Sequence, residues 1–116
     1  MYYIELAFGH SRINGEAVPD SHIVQAEQQV LTFFAQWFGG GQRYKTFGSY
    51  QTADDQLVLE SCTILRTYAL EVKQYWDQLH ALAREIGHFL EQACVAVIVI
   101  QVDGSLAFVE PEKLLV

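Results

Sequence analysis

The segment Leu70 to Ala93, LEVKQYWDQLHALAREIGHFLEQA, constrains the fold of this chain more than any other. Val72, Tyr75, Trp76, Leu79, Leu82, Ala83, Ile86, Phe89 and Leu90 recur in it at helical spacing, and the unbroken apolar run CVAVIVIQV follows at once. Spacings of three and four gather those side chains on one helix face, whereas a short apolar run rich in β-branched residues is strand-forming. A strand with one wet face alternates apolar and polar residues. Cys94 to Ile100 does not, so it predicts burial from both sides.

The remaining elements follow from period and punctuation. Tyr2 to Phe8 reads as a strand with Tyr2, Ile4, Leu6 and Phe8 on one face and Tyr3, Glu5 and Ala7 on the other. A loop from Gly9 to Pro19 contains the turn signal Asn14-Gly15. Asp20 or Ser21 is then placed to cap a helix carrying Ile23, Ala26, Val30, Phe33, Phe34, Trp37 and Phe38, and Gly39-Gly40-Gly41 ends it. Gln42 to Gln51 and Leu57 to Tyr68 read as a hairpin across the polar turn Thr52 to Gln56. After the second helix, Cys94 to Val102 is a strand, Asp103-Gly104 a tight turn, and Ser105 to Val109 a short returning strand stopped by Pro111.

The order strand-helix-strand-strand-helix-strand, with a C-terminal hairpin arm, is that of an α+β, ferredoxin-like antiparallel sheet with both helices on one face. First and third strands are then central. The doubly apolar fourth strand requires a cover on the helix-free face, which predicts a homodimer formed through that face.

With 116 residues, 51% of them hydrophobic and 18% charged, the chain is expected to fold as one α+β domain spanning 1–116. A net charge of −7 argues against nucleic acid and anionic lipid as partners, and the basic residues are scattered. No run is long enough to cross a bilayer as a helix, and no signal peptide is evident, so a soluble cytoplasmic protein is expected. Cys62 and Cys94 lack metal-ligand spacing and are read as buried free thiols.

The words LAFGHS, ING and LVLES, set in this order around an aromatic-rich first helix, resemble a bacterial ferredoxin-like family known only as a domain of unknown function. That family has a first strand ending in Phe-Gly and an acidic residue opening the third strand. The chain departs from it where Ile23 and Tyr50 replace two tryptophans. The resemblance implies the fold and no activity. A broader likeness is to dimeric α+β barrel proteins, some of them cofactor-free oxygenases or haem-degrading enzymes and others ligand sensors; no catalytic residue carries over from them.

Six residues are the candidates for ligand binding: Glu5, His10, Arg12, Glu60, Arg66 and Tyr68. Glu5 and Glu60 sit within strands, where an ionised carboxylate is costly unless it is paired or wet. On one face together their acidities would be driven apart; Arg43 and Arg66 are the cations available to pair with them structurally. His10 and Arg12, with His22, surround the first loop beside a central strand, where pockets of such sheets open. His80, Arg84 and His88 recur every four residues on the second helix and read as its solvated face, since Arg84 interrupts any histidine pair for zinc. No metal site and no cofactor is expected, because phosphate loops, dinucleotide fingerprints, nucleophile elbows and zinc-protease motifs are all missing.

The reading best supported by these residues is a homo-oligomeric module binding a small molecule or a protein. The alternative is a dimeric α+β barrel enzyme acting on a small apolar or aromatic metabolite through Glu5, Glu60, His10 or Tyr68. An RNA-binding module using Tyr44 and Tyr50 is the weakest, for want of basic surroundings.

Overall fold

In the computed structural model, which describes residues 1–104, the chain runs β1 (Tyr2–Gly9), α1 (Asp20–Phe38), β2 (Gln42–Gln51), β3 (Leu57–Ala69), a 3₁₀ turn (Lys73–Tyr75), α2 (Trp76–Phe89) and β4 (Ala96–Gln101). The strands form one antiparallel sheet in the order β2-β3-β1-β4. This is the ferredoxin-like arrangement. The returning strand expected over Ser105–Val109 lies outside the described residues.

Strand alternation sorts the sheet. Ile4, Leu6 and Phe8 of β1 and Leu65 and Ala69 of β3 are buried against Ile23, Ala26, Val30 and Phe34 of α1 and Leu79, Leu82, Ala83 and Ile86 of α2. The register opposes Tyr3 to Tyr68 and Ile100, Glu5 to Arg66 and Ile98, and Ala7 to Ile64 and Ala96. Those residues therefore share the helix-free face. The apolar run in β4 divides as two half-strands: Val97 and Val99 pack on the core, while Ile98 and Ile100 are exposed on the open face.

Several local expectations are corrected. α1 begins at Asp20 behind Pro19, and no side chain caps it. The second helix is shorter than its apolar pattern, since Leu70 and Glu71 are outside it, the next turn is 3₁₀, and the chain reverses at Glu91 with φ 54. β4 begins at Ala96, two residues late, which leaves Cys94 exposed; Cys62 is half-buried, and both are free thiols. The triple glycine does end α1, with Gly39 in the left-handed conformation at φ 87. Gly41 answers a different need, because a β-carbon there would strike the Phe34 ring.

The first loop forms a small hairpin, with a bridge between Ser11 and Ala17 around Asn14-Gly15. The β2–β3 hairpin is tied at its turn by Thr52 and Gln56. Its outer part runs past the helices: Leu57 and Leu59 share a face with buried Thr63 and Leu65, yet they are exposed, as is Phe47 beside them.

Candidate functional site

The sheet's open face carries a compact aromatic and ionic array. Glu5 on β1 and Arg66 on β3 are directly opposed, with Tyr3 and Tyr68 two residues along as the next pair on that face. The Tyr3 hydroxyl donates to Glu5 Oε1 at 2.7 Å. The Tyr3 and Tyr68 rings meet edge to face at 5.5 Å. On the other side, Arg66 lies over the Tyr44 ring at 4.5 Å and donates from Nε to Gln42 Oε1 at 3.0 Å. Among the described ion pairs none joins Glu5 to Arg66, so each keeps binding capacity toward the outside. Burial, followed by the Glu5 hydrogen bond and charge, pushes the Tyr3 phenol above its ordinary value, which keeps it a proton donor. The patch offers a carboxylate, a guanidinium and three aromatic faces within one sheet surface.

The other three candidates lie elsewhere. Glu60 shares the open face with Glu5 but sits six residues along β3 from Glu5's partner Arg66, about 20 Å away at strand rise. The two carboxylates do not form a dyad. The Glu60 carboxylate covers Gly9, where any β-carbon would collide with it, and accepts the Ser11 backbone N–H at 2.9 Å. Arg12 faces Glu91 Oε2 at 2.7 Å from Nε, an ion pair without hydrogen-bond alignment, and Glu16 at 3.7 Å. Gln92 takes the Gly9 N–H and donates to the Ser11 carbonyl, so the turn that follows α2 clamps the first loop. His22 packs on the Phe89 ring at 5.0 Å, and among the described residues no hydrogen bond joins its side chain to His10 or Arg12.

His10 reaches the helix side of the sheet and enters a network that sequence reasoning missed. At its centre is Glu27 of α1, whose side chain is 2% exposed. Arg43 and Lys45 of β2 approach its two oxygens at 3.2 and 3.1 Å, and Thr63 Oγ1 donates to it at 3.0 Å. Arg43 thus serves Glu27 and neither strand carboxylate. The Thr63 hydroxyl has only one proton, committed to Glu27, so it accepts from His10 Nε2 at 2.7 Å. That assigns the proton to Nε2 and leaves Nδ1 as an acceptor. Burial, with the Lys45 charge second, holds His10 below its ordinary value and therefore favours this neutral form. Glu27 lies four residues after Ile23 and three before Val30, inside the apolar register of α1, and that position was the available signal.

No protein-family model and no curated protein matches the chain. Among solved structures it is similar to a phage SAM lyase in complex with S-methyl-5'-thioadenosine, at 14% identity and TM-score 0.66 over 86% of this chain and 80% of that one. The phage SAM lyase in its apo state gives 12% identity and TM-score 0.58, covering 90% and 92%. The periplasmic divalent cation tolerance protein CutA from Archaeoglobus fulgidus gives 9% and 0.52, covering 91% and 88%. At these identities the likeness establishes the fold.

Proposed function

We propose that the chain is a cytoplasmic, homo-oligomeric binding module whose copies meet through the helix-free sheet face and hold a small planar ligand there. Tyr3, Glu5, Tyr44, Arg66 and Tyr68 form the contact set. The observation that carries this reading is the opposed but unpaired Glu5 and Arg66, set among tyrosines and flanked by exposed Ile98 and Ile100. A solvated sheet face tends to close such a cross-strand pair and to place polar residues beside it. Here Glu5 is held by the Tyr3 hydroxyl and Arg66 by Gln42 and the Tyr44 ring, which leaves their mutual charge uncancelled and open to a partner, and the isoleucines supply an apolar margin that a second copy covers. A ligand with an aromatic plane and groups of both polarities matches the array. His10, Arg12 and Glu60 serve this reading by fixing the first loop.

Sedimentation at micromolar concentration, with native mass spectrometry of protein purified gently from its host, tests the proposal. Dimers that become monomers on Ile98→Asp or Ile100→Asp, with a retained small molecule lost on Glu5→Gln or Arg66→Gln, are the expected result. A wild-type monomer overturns it.

The enzyme reading has one specific observation in its favour, the His10–Thr63–Glu27 chain that presents an unprotonated Nδ1. It acts on a small apolar or aromatic metabolite, and SAM is the first substrate to assay given the lyases that share the fold. Turnover abolished by His10→Gln would move this reading ahead; its absence with every such substrate leaves binding alone.

A further inference from the structure

Among the described residues β2 is an edge of the sheet, ten residues long, and every residue in it except Gly48 is exposed. Its pairing with β3 runs without a bulge from Gln42 with Arg66 to Gln51 with Leu57, and it contains no proline. Edge strands are ordinarily guarded by brevity, proline, bulges or charges. The two charges of β2, Arg43 and Lys45, are turned to the helix side and engaged by Glu27, so they guard the edge less than free cations would. β1 ends with Gly9 opposite Cys62, and past that point the β2–β3 hairpin continues as a ribbon of two strands with Phe47, Leu57 and Leu59 exposed on one side. Such a ribbon is marginal in water, and a third strand stabilises it.

The sequence of β2 identifies that third strand. A two-fold axis normal to the sheet lays β2 antiparallel to its own copy and opposes residues of the same face. With the axis at Phe47, near the middle of the strand, Tyr44 falls opposite the partner's Tyr50 on the open face and Phe47 opposite the partner's Phe47 on the helix side. Lys45 then faces the partner's Ser49, and Arg43 the partner's Gln51. Aromatic side chains meet aromatic side chains and no like charges are opposed, which is what favours cross-strand pairing. The same register carries the partner's turn, with its Asp54 and Asp55, to the end of β2 that holds Arg43.

We infer that the outer edge of β2 is a self-association surface, joining two copies of this chain into one continuous antiparallel sheet about a two-fold axis at Phe47. The partner's β2 supplies the third strand of the ribbon. The partner's Tyr50 comes beside Tyr44, whose ring lies under Arg66, so the aromatic floor of the candidate site continues into the second copy. This contact is separate from the face-to-face association proposed above and does not rest on it. One pair of edge strands buries well under the roughly 1,200 Å² of a stable complex, so the contact closes at hundreds of micromolar and is open at micromolar concentration.

The test uses full chains carrying Cys62→Ser and Cys94→Ser, which remove the native thiols, and Ile98→Asp, which removes the face contact and makes the outcome independent of it. Tyr44→Cys and Tyr50→Cys chains are equilibrated with oxidised and reduced glutathione, singly and mixed, at several hundred micromolar protein, and covalent dimers are measured by intact mass. The mixture is expected to give several-fold more dimer, linked from position 44 of one copy to position 50 of the other, than either chain alone. Like positions lie about 20 Å apart in this register, beyond the reach of a disulfide. Phe47→Lys added to both chains opposes two ammonium groups at the axis and should abolish the mixed dimer. Phe47 is exposed, so an unchanged melting curve confirms that the fold is intact. Like-with-like dimers as abundant as mixed ones, no mixed dimer, or a mixed dimer undiminished by Phe47→Lys overturns the assignment.

Discussion

Removing both cations from Glu27 should reveal how a charge is kept inside this fold. The Glu27 side chain is 2% exposed, while those of Arg43 and Lys45 are 47% and 50% exposed. Either cation alone is a half-solvated partner, and its removal leaves the other in place. Arg43→Gln or Lys45→Gln should therefore cost about 1 kcal/mol or less each. With both gone, the buried carboxylate retains, among the described residues, only the Thr63 hydroxyl, and the cost rises to about 3–5 kcal/mol because an uncompensated charge is left inside. The coupling between the two substitutions is then at least about 1 kcal/mol. Urea unfolding of the four chains in the double-mutant cycle, at neutral pH, measures it. Glu27→Leu added to the double variant should restore most of the loss, since an apolar side chain of similar volume needs no partner. Single costs that add to within about 0.5 kcal/mol would refute the reasoning.

Three further outcomes follow from other contacts. The depressed His10 value gives pH dependence a definite sign: the unfolded chain binds its proton first, so stability present above about pH 6.5 is lost as pH falls through the lower folded value, and His10→Gln flattens that slope in pH-dependent urea melts. Gly9→Ala should cost about 1–3 kcal/mol by expelling the Glu60 carboxylate and leaving the Ser11 N–H unsatisfied, and the same substitution in a Glu60→Ala background should cost much less by thermal melting. Cys94, which is exposed, should react with a thiol reagent well before Cys62, whose thiol is pushed up by burial and then by the Glu60 charge; equal rates by mass spectrometry would contradict this placement.

The sheet was legible from the sequence because period two is a local signal. Tyr3, Glu5 and Ala7 alternate with Ile4, Leu6 and Phe8, and both faces appear where that pattern puts them. The strand order followed from the order of elements. The limits of α2 were not legible, since Val72 and Leu90 are buried by tertiary contacts and extend the apolar period beyond the helix itself. Glu5, Arg66 and Tyr68 stood out as strand-borne polar or aromatic residues, but their adjacency depends on a register no single strand contains. Glu27 was overlooked for the opposite reason. A carboxylate in an apolar register looks like an exception until the cations of a distant strand are brought to it.

The central position of β1 has a consequence for assembly of the sheet. The hairpin of β2 and β3 joins across one turn, whereas the ladder of β1 with β4 joins residues 89 to 99 positions apart, from Ala7 with Ala96 to Tyr2 with Gln101. Local pairing forms early and distant pairing late, because a long loop must close before its contacts contribute. During synthesis β1 emerges long before the strand that occupies its second edge. Until β4 arrives, YYIELAF presents unpaired amides and carbonyls beside large apolar side chains, the features that recruit another chain. The strand at the middle of the finished sheet is thus the one most in need of protection while the chain is being made.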